Sequence, residues 1–248
     1  FSIHASTREN HHLPDSYIQN LLDTYDEIQV KAYLDGQFIS FATNTAYYSW
    51  DSTHNIGNYF YDPTLPIWMT WDFNVEPFCI CLIQQHNDID WIIDEIHLKT
   101  NGTIERACDE FLNRYGKHNK GIFICGDPTG KSRNVLSPFA GYNNFSVIRD
   151  KLSMMKGFQD RSSASIIPLI NSINFIRGRM CNAKGERKLF ADKKCIFTIK
   201  DFERVQMANA TEIDKKSDTS LTHHSDAMRY YCYQVRYHTG MRGVSFGH

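Results

Sequence analysis

The spacing of apolar positions changes along this chain in a definite order. From about residue 65 the pattern sharpens, and "IWMTWDFN" groups aromatic and β-branched residues as a strand does. "PFCICLIQQ" and "WIIDEIHL" repeat that character, with Pro77 at the edge of the first of them. The connections are short, which predicts an antiparallel meander. Then the period lengthens. Ile104, Ala107, Cys108, Phe111, Leu112 and Tyr115 fall at i, i+3, i+4, i+7, i+8 and i+11, one face of a helix that Gly116 ends. "GIFIC", 121–125, follows as a short buried strand. The predicted core is therefore β-β-β-α-β in an α/β fold. Its helix is the crossover that a parallel pairing requires, so the strand at 121–125 is expected beside the first strand and parallel to it. Both would end on one edge of the sheet, where Asp72 and Asp127 stand.

Patterning is weaker on either side. Residues 1–60 are rich in Asn, His, Tyr and Ser, and read as a connecting segment ahead of a domain over 61–248. They contain one predicted helix, "PDSYIQNLLDTY", and strand-like pieces around "KAYLDGQFIS" and "TAYYSWD". Asp35-Gly36 suits a hairpin turn. Downstream, "SVIRDKLSMMKG" and "SIIPLINSINFIRGRM" predict helices, "KGERKLFADKKCIFTIKDFERVQ" mixes a turn, strand and helix, and "HHSDAMRYYCYQVRY" predicts a last helix.

Charge narrows the functional classes. Net charge is −1, so no global basic field announces nucleic acid, and any such role needs a local patch. Residues 177–200 supply one, with eight basic residues against two acidic. No apolar run is long enough for a membrane helix, and no membrane partner is expected. The seven cysteines are scattered without a CxxC pair, and reduced core thiols in a cytoplasmic protein are the expectation.

"GIFICGDPTGKSRN" resembles a phosphate-binding P-loop at first sight. The required first glycine would fall at position 125, which is Cys, so the loop is one residue short. Asp127 would repel phosphate, and Pro128 removes an N–H donor. As a carboxylate at a strand end, Asp127 instead suits a hard metal ion, although Asp-Pro-x-Gly is also good turn chemistry. Asp72 interrupts an apolar strand, where an unpaired charge needs a reason. Asp226 opens the last helix three residues after His223, and could equally serve as a helix-terminal charge. Acids at separate element ends, brought together by the fold, suit two Mg²⁺ or Mn²⁺ ions that clamp a phosphodiester. Asp94, Glu95 and Glu105 are further acids nearby, with Glu95 a ligand candidate against the plainer reading of an edge-strand charge.

Several stretches together resemble the nuclease domain of the large terminase subunit of tailed bacteriophages, the DNA-packaging motor protein. "STRENHHLPDSYIQNLLDTYDEIQVKAYLDGQF" resembles the segment leaving that family's ATPase domain. "MTWDFNVEP", "ICGDPTGKS" and "LTHHSDAMRYY" resemble its three acid motifs, and "LINSINFIRGRMCNAKGERKLFADKKC" its helix plus hairpin. The order is right across nearly the whole chain. The resemblance implies an RNase H-like mixed sheet flanked by helices. It implies a metal-dependent endonuclease that cuts concatemeric double-stranded DNA during packaging, in the host bacterial cytoplasm. Asp72, Asp127 and Asp226 carry over as metal ligands for two Mg²⁺ or Mn²⁺ ions, and His223 as an additional site residue. The implied partners are an ATPase domain in the same polypeptide, the portal and the small terminase subunit. No ATPase activity is expected of this chain itself. Lys131 and Arg133, and the basic residues Arg177, Arg179, Lys184, Arg187, Lys188, Lys193 and Lys194, are the expected phosphate contacts, the latter on a hairpin along the duplex. Two alternatives stand beside this reading. One is a Holliday-junction resolvase or transposase-like enzyme of the same fold. The other is a non-catalytic motor docking domain, in which the acids would be dispersed or paired with Lys or Arg.

Overall fold

The computed structural model describes residues 13–35, 44–74, 76–132 and 142–237. Its centre is a seven-stranded mixed sheet in the order β1-β7-β4-β3-β2-β5-β6. The meander is β2 (Ile67–Asp72), β3 (Phe78–His86) and β4 (Ile89–Leu98), antiparallel throughout. Helix α4 (Ile104–Tyr115) crosses over, and β5 (Ile122–Gly126) returns parallel to β2. Strand β6 (Phe158–Asp160) extends that side in parallel, and β7 (Leu189–Asp192) pairs in parallel with β4 and with β1 (Ile56–Gly57). This is the RNase H-like arrangement, with its β-β-β-α-β core as expected.

The two faces bury different cores. Ile67, Met69 and Trp71 of β2 and Ile122 and Ile124 of β5 meet Ala107, Phe111, Phe145 and Ile148 from α4 and α5 (Asn144–Leu152). The alternate residues point the other way. That second core takes Trp68, Cys81, Cys125, Ile176, Phe202 and Met228 under α6 (Leu169–Met180), α7 (Ile196–Arg204) and α8 (His223–Tyr231). A bulge breaks the alternation in β4: Leu82 faces Asp94 but Ile83 faces Ile92, leaving Ile93 as the extra residue.

Several expectations are corrected. "KAYLD" is helical, the second half of α2 (Glu27–Asp35), because Val30 and Leu34 at i, i+4 join Leu21 of α1 (Asp15–Thr24) in a small apolar cluster. Gly36 and residues 37–40 of that stretch lie outside the described residues. "TAYYSWD" forms turns, not a strand. Ala46, Tyr47 and Trp50 are core, and β1 follows the short helix α3 (Ser52–Asn55). The basic hairpin is absent among the described residues, since β7 is inserted in the sheet between β1 and β4. All seven cysteines are unpaired thiols. No helix among the described residues is long and apolar enough to cross a membrane.

Candidate active site

Alternation fixes where the acids go. Trp68 and Thr70 of β2 face α8, with Thr70 Oγ1 donating to the Ala227 carbonyl at 2.6 Å. Asp72, two residues on, takes the same face. In β5, Phe123 and Cys125 lie level with Trp68 and Thr70, so Asp127 comes level with Asp72. The Asp127 amide donates to the Trp71 carbonyl at 2.9 Å, which continues the ladder one step past the strand. Helix α8 begins over this edge and brings His223 and Asp226 in its first turn. Its N-terminal dipole favours negative charge there.

Asp127 is positioned by a rigid corner. Gly126 has φ 145°, and a Cβ there would lie 2.4 Å from the Trp71 carbonyl oxygen, so only glycine fits. Gln234, in the π-helical stretch Cys232–Tyr237 that continues α8, grips the Gly126 peptide from both sides: its Oε1 accepts at 3.2 Å and its Nε2 donates at 2.8 Å. Asp127 Oδ1 accepts from the Thr129 amide at 2.8 Å and caps a 3₁₀ turn, Pro128–Lys131. A Cβ on Gly130 would strike the Phe73 ring at 2.1 Å. This glycine therefore serves close packing, and the loop is a capped turn in place of a phosphate cradle.

Asp72 is buried, and its environment is mixed. Burial pushes its carboxyl above the ordinary range, and the nearby Asp226 adds to this; hydrogen bonds from His223 and Asn74 work the other way. Asn74 Nδ2 donates to Asp72 Oδ2 and lies 3.1 Å from His223 Nδ1. His223 Nδ1 is itself 3.4 Å from Asp72 Oδ2, and its Nε2 donates to the Thr219 carbonyl at 3.0 Å. Burial disfavours the His223 imidazolium, but the bonds to Asp72 and Thr219 prevail and hold it above the usual histidine range. The Tyr230 hydroxyl is raised first by its own burial and then by Asp226, with Arg229 opposing and Asp127 and Asp72 adding to the rise.

Asp226 is 1% exposed and already ion-paired. Lys215 Nζ lies 2.6 Å from Oδ2, and Arg229 Nη2 lies 3.2 Å from Oδ1. Among the described residues, no group of three or more His, Cys, Asp or Glu side chains is spaced to hold a metal ion. The edge thus offers hard oxygen donors of the right chemistry for Mg²⁺ or Mn²⁺, but no closed cage.

Other expected residues have different duties. Glu95 caps α7, accepting from the Phe197 amide at 2.8 Å and the Thr198 amide at 2.9 Å. Arg177, 1% exposed, donates to the Ala46 carbonyl at 2.7 Å beneath the Tyr48 ring and cannot reach DNA. Arg179 is buried on Asp90 at 2.7 Å, and likewise cannot. Lys184, Arg187 and Lys188 pair with Asp23, Asp51 and Asp88. They precede Leu189, which stands beside Asp90 at the sheet end opposite the acids. Lys193 and Lys194 are exposed. Lys131 bonds Asp160 at 3.3 Å, and Arg133 lies outside the described residues.

Sequence reasoning missed Asn74, Gln234, Lys215 and Asp201. Asn74 alone carried a signal, as a polar residue two positions after Asp72. Asp201 of α7 accepts from the Ser225 amide at 3.0 Å, and also serves Thr222 and His224. It caps α8, whose own N-cap Thr222 has φ 82° and no side-chain bond.

No family model matches the chain, and the curated proteins contain no match to it. Solved structures do. The large terminase of a thermophilic bacteriophage, in complex with ADP, aligns over 94% of this chain at TM-score 0.68 and 14% identity. The nuclease domains of the P22 and bacteriophage SPP1 large terminases, the latter with bound Mn, overlap 75% and 73% of this chain and 90% and 97% of their own, more loosely, at TM-scores 0.49 and 0.44 and identities of 14% and 13%. The chain spans 55% of the length of the thermophilic phage's protein. Over that shared part, this chain has the fold of a bacteriophage large terminase.

Proposed function

We propose that this chain is a divalent-metal-dependent endonuclease for double-stranded DNA, working as the nuclease part of a phage packaging motor. One observation carries the reading: Asp72, Asp127 and Asp226 come from three distant elements to one edge and one face, beneath the N-terminus of α8. The likeness in fold to a large terminase supports the motor context, and with it an ATPase domain, portal and small subunit as partners in a bacterial cytoplasm.

Asp72, Asp127 and Asp226 would hold Mg²⁺ or Mn²⁺, two ions in the fullest form. When bound, the metal supplies charge neutralisation at phosphorus and lowers the pKa of an attacking water. The chain's own residues prepare that chemistry. Asp72, level with Asp127 across the β2–β5 ladder and within the field of Asp226, would be central to holding the metal. His223, locked by Thr219, presents Nδ1 to Asp72 and Asn74, where it holds or releases a proton beside the reacting phosphate. Lys131, on the 3₁₀ turn that Asp127 caps, would contact a backbone phosphate, which carries no sequence information.

The test is cleavage of supercoiled plasmid by the purified chain with Mn²⁺, Mg²⁺ or EDTA, beside Asp127→Ala. Nicking and linearisation should require metal and vanish in the variant. A second reading, a docking module, draws on the pairing of Asp226 with Lys215 and Arg229. A folded chain that neither cleaves nor binds Mn²⁺ would establish it instead.

A further inference from the structure

Asp226 has two cations, and they are built differently. Arg229 is three residues on along α8, is 5% exposed, and is anchored by Nη1 on Ser172 Oγ at 2.9 Å. It cannot leave without breaking the contact between α8 and α6. Lys215 comes from the loop before α8, and its side chain is 55% exposed. Its backbone is fixed by its neighbours. The Asp214 amide donates to the Gln206 carbonyl at 2.9 Å, and the Asp214 side chain accepts from the Lys216 and Ser217 amides at 2.9 and 3.0 Å. The loop is therefore held while the ammonium, on its four-carbon stem, is free to swing into solvent.

We propose that Lys215 is a tethered, exchangeable counterion for Asp226, which screens this carboxylate while the site is at rest and yields Oδ2 to a divalent cation. The inference rests on the nuclease reading and adds regulation to it. A carboxylate nearly without solvent contact, close to the desolvated Asp72, needs a cation at all times. Arg229 supplies permanent charge to Oδ1. Lys215 supplies replaceable charge to Oδ2, so metal binding must compete with an ammonium ion present at high local concentration. The site would then load weakly on its own. It would load better when a phosphate backbone arrives and draws Lys215 away, which places DNA and metal in positive linkage.

Mn²⁺ binding to the chain, followed by loss of the free-ion paramagnetic resonance signal, tests this with wild type, Lys215→Met and Lys215→Arg. Lys215→Met keeps the stem and removes the charge. It should bind Mn²⁺ about tenfold more tightly than wild type, the scale of one partly screened ion pair. Its rise in Tm on adding Mn²⁺ should also exceed that of wild type, whereas Lys215→Arg should show neither effect. Equal or weaker Mn²⁺ binding by Lys215→Met, with wild type binding normally, overturns the counterion role and leaves the nuclease reading standing. If neither wild type nor Lys215→Met binds Mn²⁺ while folded, the nuclease reading fails and the inference fails with it.

Discussion

Gly126 and Asp201 show how closely this edge is specified by single residues. Adding a methyl group at Gly126 would force the Trp71 carbonyl or the β5 backbone to move, since the gap is 2.4 Å and φ is 145°. Gly126→Ala should cost roughly 2–4 kcal/mol in urea unfolding and displace Asp127. Asp201 sets a pH dependence. Burial raises its carboxyl from 3.8 to about 7, against the amides it caps. The folded state therefore holds this proton more tightly than the unfolded chain does. Its contribution to stability is complete below 3.8 and is lost as pH rises toward about 7. Asp201→Asn, which cannot ionise, should lack that slope. The difference in unfolding midpoint between wild type and variant should shift in the variant's favour as pH rises through the same window. A constant difference would refute the assignment.

Among the elements, α7 and α8 act as a pair. Glu95 of β4 caps α7, and Asp201 of α7 caps α8, so the acid edge is held by a relay of helix caps. Glu95→Ala should lose about 1–2 kcal/mol in chemical unfolding, since a buried cap is removed. Glu95→Gln should bind Mn²⁺ like wild type, because this side chain serves backbone amides. Helix α6 teaches the complementary point. From Ser172 on, nearly every one of its residues is buried, and Gly178 lies against the Thr24 carbonyl. An arginine on either side of such a helix is a core residue. Arg179→Met would remove one of two cations from the buried Asp90, which keeps Tyr231 at 2.6 Å and Arg236 at 2.7 Å. It should destabilise by about 1–3 kcal/mol in thermal or urea unfolding, before any effect on DNA is visible.

Taken whole, the molecule carries a net charge of −1 and so no global basic field. DNA affinity of the chain alone should be about micromolar or weaker at physiological salt, and should fall steeply as salt rises, in fluorescence anisotropy with a labelled duplex. The core was legible in the order of residues because strand alternation and one strongly striped helix, α4, each report a face directly. Asp72 and Asp127 were legible for the same reason, being polar interruptions at strand ends. The roles of Arg177, Arg179 and Glu95 were not, since a sequence shows a charge without showing what surrounds it. Gln234 was hidden because long-range closure alone brings it to the edge, and Lys215 because a loop has no period that reports a face. The bulge at Ile93 has the widest reach. Asp90 and Ile92 face α8, as do Glu95 and His97, an even set followed by an odd one. Were Ile93 kept in strict alternation instead of being absorbed by the bulge, the strand would turn Asp94 and Ile96 toward α7 and α8. The shorter acid would fall short of the α7 amides, and a hydrocarbon would replace the imidazole that touches His224 at 3.1 Å. The bulge thus absorbs one residue and keeps the longer acid and the imidazole in step with the helices above them.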